Sequence, residues 1–258
     1  MPTKHAEKSK IPFQVVAHRG FKAHYAENTL ISFEKAIEAG ATMLELDVRM
    51  TKDEVVVILH DPTLLRLGGH RLHVSEMSWD VLKTINLMDK KARHLRSGSV
   101  LTLEKLFERF GNSVYYDVEI KTSKHHLLYH KHQLCSRVID LVARFDLDHF
   151  VMATSFELDI LQYLHDNNNL RLGYNFKGEM PDQWLFDKLK KIDARLCPHH
   201  ALVTEESLPK FKEMKFKVIP WVVNAERRMH ELLYWGVDGI ISDNPEKLAR
   251  LLGRIGSA

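Results

Sequence analysis

The chain has 258 residues, of which 45% are hydrophobic and 28% charged, an ordinary globular composition that excludes disorder, collagen and coiled coil. Lys and Arg number 37 against 34 Asp and Glu, a formal charge of +3, which is too small a surplus to suggest a nucleic-acid binder with a basic face. No apolar run approaches the roughly 18 residues that span a bilayer, so no stable membrane insertion is expected.

In chain order, the polar start MPTKHAEKSK does not read as a secretory signal, and a first strand follows it at 13–18. Helical period at 29–39 gives the first helix, and strand-like runs follow at 42–48 and 55–60. From 61 to about 99 the period breaks up, through Gly68-Gly69, His70, His73 and the charged stretch 89–96. Strands are then expected at 114–120, 150–154, 170–174, 194–197, 217–222 and 239–242, in alternation with helices. Those helices fall at 101–110, 126–145, 156–166, 181–191, 205–215, 225–235 and 245–252. Such alternation argues for a parallel sheet buried by helices. Roughly eight units in about 250 residues favour a closed (β/α)₈ TIM barrel. No linker divides the chain, so one domain over 1–258 is expected, with a small insertion after the second barrel unit at about 61–99. Cys135 and Cys197, the only cysteines, suit packed thiols in a reducing cytoplasm.

In a (β/α)₈ barrel the side chains that do chemistry sit at the C-terminal strand ends. Those ends read Ala17-His18-Arg19-Gly20, Glu45-Leu46-Asp47, His60-Asp61 and Glu119-Ile120-Lys121. Side chains alternate along a strand, so Leu44, Leu46 and Val48 face the helices while Glu45 and Asp47 face the barrel axis. The strand at 114–121 repeats the pattern, with Val114, Val118 and Ile120 outward and Asp117, Glu119 and Lys121 inward. Carboxylates that converge in a confined space repel one another unless protonated or holding a cation. Ligation by oxygen alone points to a hard ion, Mg²⁺ or Ca²⁺, rather than zinc. The competing reading is a buried ion network in which Glu45, Asp47 and Glu119 pair with Arg19 and Lys121. Beside either arrangement, His18 and His60 supply a proton acceptor and donor near neutral pH. Arg19 and Lys121 are fixed charges suited to phosphate oxygens. Together these groups read as metal-assisted phosphoester cleavage.

The motifs VVAHRG (15–20), ENT (27–29), ELDVRMTKD (45–53), HDPTLLR (60–66) and EIK (119–121) resemble those of the glycerophosphodiester phosphodiesterase family. Weaker matches at Ser155-Phe156, PWVVN (220–224) and GIISDNP (239–245) carry the resemblance over nearly the whole chain. It implies a (β/α)₈ barrel, one divalent cation on Glu45, Asp47 and Glu119, and His18 and His60 as the acid–base pair. It also implies that Arg19 and Lys121 hold the phosphate, with Glu27 at the rim. Phe156 and Trp221 would wall the glycerol or the leaving group, with core packing as the alternative for each. Asp243 would make a polar contact at the last strand end, with a helix N-cap before Pro245 as its competitor. Asn28 is expected to cap the following helix. The chain departs from the family at Ala26, where Pro commonly precedes ENT. It departs again at LGGHRLHVSEMSWD, which replaces a Thr- and Gly-rich insertion and bears on substrate choice. Outside these motifs, His126 and His130 share a helix face that is expected to be solvated, and His199 follows a strand end near the pocket.

The expected reaction is hydrolysis of a small-molecule glycerophosphodiester to sn-glycerol 3-phosphate and an alcohol. His60 is assigned as acid and His18 as base, a division that the sequence does not fix, with water or the substrate's 2-hydroxyl as nucleophile. A lysophospholipase D on the same barrel is the nearest alternative, but it needs an apolar groove and a membrane-facing patch, and no basic amphipathic helix is evident. An amidohydrolase-type barrel wants two histidines one residue apart on the first strand, where this chain has His18-Arg19-Gly20. A barrel that only binds phosphodiesters has no need of both histidines.

Overall fold

The computed structural model describes residues 13–69, 71–87, 98–122 and 128–253. The chain begins with β1 (Gln14–His18), α1 (Leu30–Glu38), β2 (Met43–Met50) and β3 (Val56–Ile58). Short helices α2 (Leu65–Gly68) and α3 (Trp79–Leu82) and the strand pair β4 (Asn86–Leu87) and β5 (Gly98–Ser99) come next. They lead to β6 (Leu101–Thr102), α4 (Leu103–Phe110), β7 (Tyr115–Ile120), α5 (Leu128–Arg144), β8 (Val151–Ser155) and α6 (Leu158–Asn167). The last third holds β9 (Arg171–Phe176), α7 (Gln183–Lys191), β10 (Arg195–Pro198), α8 (Ser207–Glu213), α9 (Glu226–Trp235), β11 (Gly239–Ser242) and α10 (Pro245–Leu251).

Parallel strands lie side by side in the order β10-β9-β8-β7-β2-β1-β11. The segment 217–223 fills the gap between β11 and β10 and closes the ring. It bridges to β10 at Leu196–Val218 and His199–Trp221. Toward β11, the Ile241 amide donates to the Pro220 carbonyl at 3.0 Å and the Val223 amide to the Ile241 carbonyl at 2.9 Å. Pro220 has no N–H to give, so a strand expected at 217–222 becomes a broken ladder. The architecture is the (β/α)₈ barrel that the alternation predicts.

The run at 55–60 is the exception, because it is not a barrel strand. β2 runs on past the ring, the chain reverses, and β3 returns antiparallel to it, with Val48 opposite Ile58 and Met50 opposite Val56. β6 pairs antiparallel with β3 in turn. These short strands belong with the insertion, which packs a small core of its own that includes Val57, Leu59, Leu64, Val74 and Leu82. His70, the stretch 89–96 and His126 lie outside the described residues.

The strand pleat separates two apolar layers. Leu44, Leu46, Val48, Val118 and Ile120 face outward into the core shared with the helices. Val16, Met43, Met152, Cys197, Ile219 and Ile241 fill the inside of the barrel. Each such side chain contributes about 1.5–3 kcal/mol by leaving water. Gly173 is bare because a Cβ there would come within 2.7 Å of Thr154 Cγ2 and 3.0 Å of Cys197 Sγ. Cys135 and Cys197 are both buried free thiols.

Candidate active site

β1 ends at His18, and the chain turns at once through Arg19 and Gly20, with φ of 54° and 82°. A Cβ on Gly20 would sit 2.4 Å from Ser32 Oγ, so the left-handed turn needs glycine. The turn points the Arg19 amide at Glu45 Oε2, 2.8 Å away. The Arg19 guanidinium donates to Glu27 at 3.1 Å and pairs with Asp47 at 3.0 Å.

His18 Nδ1 lies 2.6 Å from Asp243 Oδ1. An ionised carboxylate can only accept, so Nδ1 carries the proton and Nε2 is left as the basic nitrogen. Burial lowers the His18 pKa by more than the Asp243 hydrogen bond raises it, which keeps the ring neutral at pH 7. Burial alone would raise the Asp243 carboxyl, but His18, Lys22 and Asn224 together hold it well below the usual carboxylate range.

On β2 and β7, Glu45 stands in register with Asp117 and Asp47 with Glu119. One oxygen each of Glu45, Asp47 and Glu119 lies within 4.8 Å of the others. Burial and the neighbouring carboxylates push the Glu45 pKa well up. Burial, helped by Asp47, also raises Glu119 against the pull of Lys121. Asp117 is pushed up to about 7 by burial, although Thr154 donates to it. Burial would raise Asp47 as well, but Arg19 and Lys121 outweigh it and keep the group ionised. Asn28 Nδ2 also donates to Asp47 Oδ2, at 3.0 Å.

The ion network foreseen as the alternative is present, since Lys121 donates to Glu119 at 2.6 Å and pairs with Asp47 at 3.2 Å. It does not neutralise the site. Arg19 and Lys121 pair with Asp47 and Glu119, whereas Glu45 and Asp117, equally buried, have no Arg or Lys ion-pair partner among the described residues. Asp47 Oδ1, completely buried, has only the Lys121 ammonium beside it, at 3.2 Å. Converging carboxylate oxygens whose mutual repulsion raises Glu45 and Glu119 fit a hard divalent cation.

His60 reaches the site from the insertion. As β3 comes back toward the ring, the Leu59 amide donates to the Asp47 carbonyl at 2.8 Å, and the next residue is His60. Arg49 holds the His60 carbonyl with two bonds, at 2.9 and 2.6 Å. His60 Nδ1 lies 2.6 Å from Asp61 Oδ1, and Arg66 Nε donates to the other Asp61 oxygen at 2.6 Å. The remaining Arg66 nitrogens grip Glu27 at 3.0 and 2.6 Å. Each histidine therefore has its own carboxylate partner.

His18, Arg19, Glu45, His60, Glu119 and Lys121 line one cavity of about 220 Å³, together with Phe156 and Trp221. Phe156 and Trp221 meet edge to face with centroids 5.7 Å apart, so the cavity wall is the place of both rings. Asp47 sits behind it, fully buried. Glu27 and Asp243, expected to touch substrate, are not among the lining residues. Glu27 is buried between Arg19 and Arg66, and Asp243 orients His18. The helix cap proposed for Asp243 belongs to Asn244, whose side chain accepts from the Lys247 amide at 3.0 Å. The cap expected of Asn28 belongs to Thr29, which accepts from the Ser32 amide. His199 does not line the cavity but packs edge-on against Trp221 at 5.3 Å. The sequence reading also missed Arg49, Asp61 and Arg66, although the latter two stand inside the HDPTLLR motif.

A sequence model of the glycerophosphoryl diester phosphodiesterase family matches residues 18–247. The chain belongs to that family. The match takes in every residue of the candidate site described above, from His18 to Asp243. Across 244 residues the chain is 28% identical to a glycerophosphodiester phosphodiesterase of Caldanaerobacter subterraneus subsp. tengcongensis, covering 94% of this chain and 98% of that one. A human lysophospholipase D is 25% identical, with 92% of this chain and 85% of that one covered. A phosphodiesterase of Oleispira antarctica, solved in complex with the product sn-glycerol-3-phosphate, shares the fold with a TM-score of 0.81 at 23% identity, covering 93% of this chain and 96% of that one.

Proposed function

We propose that the chain hydrolyses water-soluble glycerophosphodiesters to sn-glycerol 3-phosphate and an alcohol. The observation that carries this reading is the meeting, in one cavity, of two carboxylate-partnered histidines with the Glu45, Asp47 and Glu119 cluster. Those three carboxylates would hold one divalent cation, Mg²⁺ or Ca²⁺, which when bound supplies Lewis-acid stabilisation of charge on the phosphate. Arg19 and Lys121 draw the diester in by charge. His18, neutral and with Nε2 unprotonated, takes the proton of the nucleophile, which is water or the substrate's own 2-hydroxyl. The imidazolium so formed is stabilised by ionised Asp243. His60 gives its proton to the departing alkoxide. Its side chain is 33% exposed against 12% for His18, which suits the end of the cavity where the alcohol leaves.

The human relative gives lysophospholipase D a place as the second reading. Beyond Phe156, Trp221, Val222 and Ile241 the cavity lining is polar, which favours a small diester over one bearing an acyl chain. No described helix is long and apolar enough to cross a membrane, and the two free thiols support the assignment to the cytoplasm. The deciding assay compares a set of glycerophosphodiesters with lysophosphatidylcholine, each with Mg²⁺ and with Ca²⁺. The deacylated diesters should give the higher kcat/KM. A higher value for lysophosphatidylcholine installs the second reading, and turnover of neither removes both.

A further inference from the structure

Across the cavity from the carboxylates, β9 and the residue after it contribute two polar side chains, Asn175 and Lys177, which the reaction above does not use. Asn175 is 5% exposed, yet its side-chain amide has no hydrogen-bond partner among the described residues. It lines the cavity and offers two donors and an acceptor to what enters there. Lys177 likewise lacks an ion-pair partner among the described residues, whereas Arg19 is held by Glu27 and Asp47 and Lys121 by Glu119 and Asp47.

Strand order sets the distance between the two walls. Glu119 is on β7 and Asn175 on β9, with β8 between them, and neighbouring strands lie about 4.8 Å apart. Two spacings, on the order of 10 Å, match the reach from a phosphate at the carboxylates to the outer groups of its alcohol. The aromatic rings are not arranged to receive a cation. The Lys121 ammonium already lies 5.6 Å from the centre of the Phe156 ring, and Trp221 stands edge to face with both Phe156 and His199. A quaternary ammonium would find no empty cage and would meet the charge of Lys177.

We infer that Asn175 and Lys177 form the subsite for the leaving alcohol and that they select a polyol, neutral or anionic, over a cationic amino alcohol. This inference rests on the hydrolysis proposed above. Hydroxyls of the polyol donate to the Asn175 carbonyl oxygen and accept from its amide N–H groups and from the Lys177 ammonium. An anionic substituent on the polyol gains further from Lys177.

The test is steady-state kinetics on glycerophosphoglycerol, glycerophosphoinositol and glycerophosphocholine with Mg²⁺, for the unaltered chain, Lys177→Glu and Asn175→Ala. Lys177→Gln, which removes only the charge, guards against a failure of the glutamate variant to fold. The unaltered chain should favour the two polyol diesters by about tenfold or more in kcat/KM. Lys177→Glu should reduce that ratio at least tenfold, mainly through KM, Lys177→Gln should do so in part, and Asn175→Ala should weaken the polyol diesters selectively. An unmoved ratio in both Lys177 variants overturns the inference. So does an equal loss with all three substrates, which places the pair on the glycerol half that the substrates share. Failure of the unaltered chain to hydrolyse any of the three refutes the hydrolysis itself, whereas hydrolysis without head-group preference refutes only the subsite.

Discussion

His18 and His60 occupy the same chemical situation, with Nδ1 tied to a carboxylate, but they arrive by different routes. His18 ends a barrel strand and is nearly enclosed, while His60 hangs from the insertion and is more open. The acid–base division proposed above rests on that difference, and it can be measured. Positioned proton transfer is typically worth about 10²–10⁴-fold, so His18→Ala and His60→Ala should each lower kcat by that order with metal binding nearly unchanged. If His60 protonates the leaving alkoxide, its loss should matter much less for a p-nitrophenyl diester, whose leaving group needs no proton. His18→Ala should stay impaired with both substrates, because the nucleophile must still be activated. Equal losses in all four combinations would end the assignment, and loss of metal in either variant would recast that histidine as a ligand.

At the scale of elements, the insertion is fastened to the barrel through Arg66. This one side chain joins Asp61, which orients His60, to Glu27, which braces Arg19. Arg66→Ala should therefore lower kcat about tenfold by loosening His60 while costing only a few degrees in Tm, because the network is partly exposed. Hydrogen exchange through residues 59–69 should quicken in that variant, and unchanged exchange together with unchanged kcat would show that Arg66 holds nothing. The same region shows where sequence reading runs out. Alternation of Leu44, Leu46 and Val48 with Glu45 and Asp47 announced both the barrel strand and its acidic face, because a pleat is a local property. The direction in which VVVIL (55–59) pairs is not local, and an apolar run of that length looks the same in a parallel strand as in an antiparallel return. Glu27 and Asp243 were visible as polar residues in the right motifs. Their partners, Arg66 and His18, lie 39 and 225 residues away, and that separation hid their bracing roles. Asn28 and Thr29 both suit an N-cap by composition, and only the folded backbone, with Asn28 at a left-handed φ of 57° and Thr29 accepting from the Ser32 amide, shows which of the two the helix uses.

For the molecule as a whole, a cluster of buried carboxylates is a stability problem that a cation relieves. Asp117, raised to about 7, and Glu45 and Glu119, also raised, hold protons in the folded state that the unfolded chain has already released. Their contribution is full below the ordinary carboxylate pKa of about 4 and is lost as pH rises through the folded values. Asp47, Asp61, Asp243 and Glu27 are shifted the other way, so their stabilisation is present above about 4 and fails only in acid. His18, lowered by burial, stabilises above its ordinary value of about 6.5 and loses that contribution only as pH falls below it. Between pH 6.5 and 8.5 Asp117, pushed up to about 7, is therefore the group that decides the slope. The metal-free protein should lose Tm across that window, since each proton of difference is worth about 1.4 kcal/mol per pH unit and each kcal/mol shifts a domain of this size by roughly 2–4 °C. Mg²⁺ or Ca²⁺ held as proposed would replace those protons with fixed positive charge, so the rise in Tm on adding the ion should be larger at pH 8.5 than at 6.5. Glu119→Ala should flatten both dependences. Calorimetry of the chelated and loaded protein at the two pH values checks the whole chain of reasoning, and a metal-induced shift that ignores pH would mean that the ion is not held by these carboxylates.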